Sequence, residues 1–146
     1  MGTYQRVVVL ACLALTVSCA SAKRQESFSG EWSYGRDCDG GAYITLELKQ
    51  SGSNVTGEWS EGTNSRGDQG FFKGQIRNGT LVGVYCSSTG VDGTLCPQYD
   101  TTIEDHFTLK HGALLRAQKY GATYKQDVTL LPAKVAKIAR CREEDN

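Results

Sequence analysis

Between residues 29 and 132 apolar and polar side chains alternate nearly one by one, in short runs broken by small polar turns. A period of two places successive side chains on opposite faces of a strand, whereas a helix needs a period near 3.6. The run at residues 43–49 shows the rule: Ile44, Leu46 and Leu48 face one way, Thr45, Glu47 and Lys49 the other. Val55, Gly57 and Trp59 repeat it, and so do Phe107 and Leu109. Asn78-Gly79 separates the runs 71–77 and 80–87. This dipeptide is the strongest short hairpin signal, because both turn residues need positive φ. Ser51 to Asn54, His111-Gly112 and Tyr120-Gly121-Ala122 are further turn sites.

The runs 29–34, 43–49, 55–60, 71–77, 80–87, 104–110, 113–118 and 123–131 amount to about eight strands, the last stopped by Pro132. The expected fold is all-β: an antiparallel up-and-down meander closing, or nearly closing, into a barrel, which removes exposed edges. Residues 133–140 fit either a short helix or a last strand paired to the first. Two connections exceed what a hairpin needs. One is the ten-residue polar stretch 61–70, the other is 87–102.

The first residues read as an address. Arg6, an apolar run over 7–17 and Ala20-Ser21-Ala22 make a secretory signal peptide, with cleavage expected after Ala22 and a single barrel domain over 23–146. The apolar run is too short for a comfortable membrane span. Lipidation at Cys19 is the rival reading, and the only one that places the chain at a membrane. Four cysteines then remain, Cys38, Cys86, Cys96 and Cys141, and an even number in an exported domain reads as two disulfides. Of three pairings, Cys86–Cys96 with Cys38–Cys141 is favoured, since the first closes a local loop. The expected location is secreted or periplasmic.

Chemistry is sparse. Sixteen basic and sixteen acidic side chains give no net charge, which argues against a nucleic-acid partner. His106 and His111 have no nucleophile motif beside them, and no C-x-x-C spacing marks a metal site. Asp37-Cys38-Asp39-Gly40-Gly41 reads as a polar turn. Neither catalysis, a cofactor nor a metal is expected. Arg66-Gly67-Asp68 is the tripeptide read by integrins and also an ordinary hydrophilic turn. The candidate binding residues lie on the two long loops: Arg66, Asp68, Ser88 and Tyr99. Inward Trp32, Tyr34, Trp59, Phe72, Tyr85 and Phe107 are either core or the lining of a pocket.

Gly30-Glu31-Trp32, the alternating run 43–49, then Gly52, Val55, Gly57 and Trp59 resemble the opening hairpin of avidin-like and lipocalin-like barrels. That resemblance implies an exported barrel, with a small apolar ligand as one possible cargo. Avidins line their biotin site with further tryptophans, whereas Trp32 and Trp59 are the only two here. In size, signal and disulfides the chain also resembles small bacterial lysozyme inhibitors. Their Ser-Gly-x-x-Tyr loop has its nearest counterpart in Ser88-Thr89-Gly90 and Tyr99, at a different spacing. The expectation is a non-enzymatic binding protein acting through its loops, with a protein partner such as a cell-wall hydrolase. An apolar-ligand carrier is the alternative.

Overall fold

The computed structural model describes residues 27–36, 40–91 and 93–136. Eight antiparallel strands follow one another as Gly30–Gly35 (β1), Tyr43–Ser51 (β2), Asn54–Gly62 (β3), Gly67–Arg77 (β4), Thr80–Ser87 (β5), Asp105–Lys110 (β6), Ala113–Tyr120 (β7) and Thr123–Pro132 (β8). Each pairs with the next, and β8 returns to β1 to close the barrel. The closing seam is short: Trp32 faces Pro132, Ser33 faces Leu131, and the Ala133 amide donates to the Glu31 carbonyl at 2.8 Å. The barrel therefore closes without a ninth strand, and the described residues 133–136 turn back on Pro132.

A meander sends alternate connections to opposite ends. At one end lie the tight turns at Gly52-Ser53, Asn78-Gly79 and His111-Gly112. Asn78 and Gly79 adopt φ of 51° and 79°, the left-handed pair that matches the twist of the flanking strands. At the other end, here called the mouth, lie the β1–β2, β3–β4 and β5–β6 connections together with the short β7–β8 turn.

The interior has two storeys. Toward the turn end, Leu48, Val55, Phe72, Leu81, Phe107, Leu114 and Leu130 are buried in one cluster, with Trp32, Ile44 and Leu46 beside them. Eight strands leave an interior just wide enough for side chains to fill. Phe72 packs edge-to-face on Phe107 at 5.8 Å and on Tyr85 at 5.3 Å, geometries favoured by the ring quadrupole. Toward the mouth the inward positions turn polar, and there two sequence expectations are corrected.

The stretch 61–70 is not a ten-residue loop. β3 runs on to Gly62 and β4 starts at Gly67, with Glu61 paired to Asp68 in the ladder. Polar residues point inward at this end, so the alternation continues while its apolar signature stops.

The β5–β6 connection is a wall of the barrel rather than a free loop. The β5–β6 ladder ends at Gly83 opposite Asp105. Beyond it the exposed edge of β5 is taken by the connection itself. The Ser87 amide donates to the Thr94 carbonyl at 2.8 Å, the Cys96 amide to the Ser87 carbonyl at 2.9 Å, and the Asp100 amide to the Tyr85 carbonyl at 3.2 Å. A Cys86–Cys96 disulfide joins the same two segments, as the spacing predicted. Val84 and Cys86 alternate with inward Tyr85, so they face outward, yet both are buried, and Cys86 is bonded to this segment. The expected leader over 1–22, the lipidation candidate Cys19 and the expected Cys38–Cys141 pairing lie outside the described residues.

Candidate functional site

The mouth storey follows from the strand period. Two residues beyond inward Trp59 comes Glu61, two before Phe107 comes Asp105, and two beyond Leu114 comes Arg116, followed by Gln118. Asp127 joins them by another route. The β7–β8 register shifts between Arg116 and Ala117, pairing Arg116 with Val128 and Ala117 with Gln126. Asp127 is the extra residue of this bulge, and bulges re-aim side chains. Its carboxylate thereby meets Arg116.

Arg116 is the hub, with a side chain only 5 % exposed. Its Nη1 donates to Glu61 Oε2 at 2.8 Å. Its Nη2 and Nε grip Asp127 at 2.6 and 3.1 Å, a two-pronged contact that suits the planar guanidinium. Asp105 Oδ2 stands 4.0 Å from Nε. Burial opposes the Arg116 charge, but the hydrogen bonds to Glu61 and Asp127 outweigh it and raise its pKa above the ordinary value. One cation thus faces three carboxylates. When all are ionised, two negative charges stay uncompensated, and Asp105 is the most deeply buried of the three carboxylates.

Asp105 carries the tension. Its Oδ2 accepts from the Tyr85 hydroxyl at 3.0 Å and from Gln118 at 3.4 Å. Its Oδ1 is buried with no hydrogen-bond partner, the only side-chain polar atom among the described residues in that condition. Burial pushes the Asp105 carboxyl above the usual carboxylate range, against the opposing pull of Arg116 and the two hydrogen bonds. Burial, followed by the negative charge of Asp105, raises the Tyr85 phenol well above its ordinary value.

A recess of about 140 Å³ opens beside Asp105, bounded by Trp59, Glu61, Tyr85, Asp105 and Gln118 from the barrel and by Asp100 and Ile103 from the β5–β6 connection. Trp59 is fixed there by its indole N–H, which donates to the Cys86 carbonyl at 3.0 Å, and by an edge-to-face contact with Tyr85 at 5.4 Å.

The structure scatters the loop residues singled out from the sequence. Arg66 is exposed at the β3–β4 tip. Asp68 is not presented to solvent: it is 4 % exposed, and its Oδ1 accepts from Ser87 Oγ at 2.9 Å and Thr89 Oγ1 at 2.7 Å. It anchors the start of the β5–β6 connection, which leaves the tripeptide at 66–68 without an accessible acid. Ser88 is exposed and extends the β4–β5 ladder through its amide to the Gln69 carbonyl at 2.8 Å. Tyr99 lies on the barrel's flank, its ring 3.9 Å from Lys73 Nζ. Of the aromatic residues, Trp32, Phe72 and Phe107 are packed core, while Trp59 and Tyr85 border the recess. The sequence reading left Glu61, Asp105, Arg116, Gln118 and Asp127 out of its candidate binding residues. For the first four, carrying the inward phase past the last apolar residue of each strand would have found them.

Among the described residues no group of three or more His, Cys, Asp or Glu is arranged to hold a metal. Compared with protein-family models, with curated proteins and with solved structures, the chain matches none. Fold and site together define its class: an eight-stranded up-and-down antiparallel barrel with an apolar base and a charged, loop-walled mouth.

The pKa direction of Asp105 gives a stability prediction. A carboxyl whose folded pKa is raised contributes best below its unfolded value, about 3.9, and that contribution is lost as pH rises through the folded value. The groups facing it are Tyr85 on β5, Arg116 and Gln118 on β7, Asp127 on β8 and Glu61 on β3. Asp105→Asn keeps the shape and an acceptor for Tyr85 while deleting the charge. Its Tm relative to the native protein is therefore expected to climb between pH 4 and pH 8 in thermal melts. A difference independent of pH would show that ionised Asp105 costs the fold nothing.

Proposed function

We propose that the protein is a non-enzymatic binding protein that engages another protein through the β5–β6 connection, residues 88–104. The observation that supports this reading is where apolar surface is left. The three most exposed large apolar side chains among the described residues, Val91 at 71 %, Ile103 at 61 % and Leu95 at 57 %, all sit on that one segment. Isolated apolar residues on a surface mean little, but three on one anchored segment are a binding feature. The Cys86–Cys96 bond, the Asp68 hydrogen bonds and the pairing along β5 hold the segment before any partner arrives. Such pre-organisation removes much of the ordering cost of association.

The partner class we favour is a cell-wall hydrolase met outside the cytoplasm, with the chain exported and either free or lipid-held at Cys19. A disulfide suits that oxidising setting. Apolar cargo inside the barrel is less well supported, since the apolar storey is filled by its own side chains. The test is inhibition: purified protein is added to muramidase, amidase and endopeptidase activities acting on isolated cell wall. The expected result is dose-dependent inhibition of at least one, lost by tenfold or more in Val91→Ser/Leu95→Ser/Ile103→Ser with an unchanged Tm. Full activity of every hydrolase in the presence of the native protein would overturn the reading.

A further inference from the structure

The recess at the mouth is better suited to a charged guest than to none. Three carboxylates line it, Glu61, Asp100 and Asp105, and the single guanidinium beside them, Arg116, is already held by Glu61 and Asp127. The side chain of Asp105, 2 % exposed, borders it and retains an oxygen without a donor. A buried acceptor left in that state is held at a cost that a donor would remove. Trp59 and Tyr85 contribute aromatic surface, and Ile103 an aliphatic side at the rim.

We infer that this recess binds a small organic cation, an alkyl- or arylammonium, with the ammonium at Asp105 and the apolar body against Trp59, Tyr85 and Ile103. The chemistry selects this class over its neighbours. An anion would add to charge already in excess. A hard metal cation wants six or more oxygens gathered round one point, and among the described residues no three acidic side chains are grouped to hold one. An ammonium brings a positive charge and N–H donors, and aromatic faces attract it further. Size limits the guest. A cavity near 150 Å³ takes a molecule of benzene's dimensions, and this one measures about 140 Å³.

The recess shares Ile103 with the proposed docking segment, but its guest needs no docked protein, and the test uses the protein alone. Its test compares benzylammonium with its neutral isostere benzyl alcohol, titrated calorimetrically into the intact protein at pH 7 and low salt. The Trp59 indole N–H is followed by proton NMR, assigned through Trp59→Phe. Benzylammonium is expected to bind at least tenfold more tightly than the alcohol and to move the Trp59 resonance while leaving that of buried Trp32 in place. Asp105→Asn is expected to lower that affinity at least tenfold. Equal affinities, no binding, or a Trp59 signal that stays still would each overturn the assignment. The native-protein comparison decides the matter even if the Asp105 variant folds poorly.

Discussion

Arg116→Met is expected to destabilise the protein by about 3–5 kcal/mol, the usual cost of removing one partner from a buried ion cluster. Methionine keeps an unbranched apolar stem, so the loss reports charge more than volume. The three carboxylates respond differently. Glu61 has a side chain 43 % exposed and can turn to water. Asp105 still has Tyr85 and Gln118. Asp127, 17 % exposed, loses the two-pronged grip that occupied both of its oxygens. Most of the penalty therefore falls on Asp127, and Arg116→Met/Asp127→Asn should regain a substantial part of it. The direction with pH is also set. With the cation gone, the remaining carboxylates hold protons to higher pH, so the deficit should be smaller at pH 4 than at pH 7. Urea unfolding at the two pH values reads all of this. A loss below about 1 kcal/mol at pH 7 would mean that the cluster behaves as a solvated surface pair.

The same cluster explains what could be read from the sequence. Where inward residues are apolar, the strand period is visible as hydrophobic alternation. The eight strands, the Asn78-Gly79 turn and the inward placement of Trp32, Trp59, Phe72 and Phe107 were all legible on that basis. The Cys86–Cys96 bond was legible from the short loop it closes. Where inward residues are polar, the period persists but its contrast vanishes. Glu61 and Asp68 looked like loop residues because both faces of β3 and β4 are polar near the mouth. Arg116 breaks the apolar pattern of its strand, although Leu114 two residues earlier sets its direction. Asp127 is a different case. It reaches Arg116 only because a bulge adds a residue to β8, and no feature of the local composition announces a bulge there.

Phe72 belongs to the buried apolar cluster, and Phe72→Ala is expected to cost about 3–5 kcal/mol. Phe72 is 1 % exposed and touches Tyr85 and Phe107 edge-to-face. The ring has its place because position 83 has no side chain: a methyl built on Gly83 falls within the Phe72 ring. Gly83→Ala alone should therefore overpack the centre, at about 1–3 kcal/mol. The two changes are not independent. In Phe72→Ala the space that the methyl needs has been vacated, so adding Gly83→Ala should cost little, or recover stability by refilling part of the cavity. The double variant should thus be more stable than the sum of the single losses predicts by at least about 1 kcal/mol, within the range of directly contacting pairs. Tyr85 adds a functional readout, since the Phe72 ring supports the phenol that donates to Asp105. Loss of that support should loosen the recess in Phe72→Ala while Arg116 and Asp127 keep their contact. Strict additivity in urea unfolding would mean that Gly83 serves the backbone rather than the ring, and that another residue sets the barrel's internal packing.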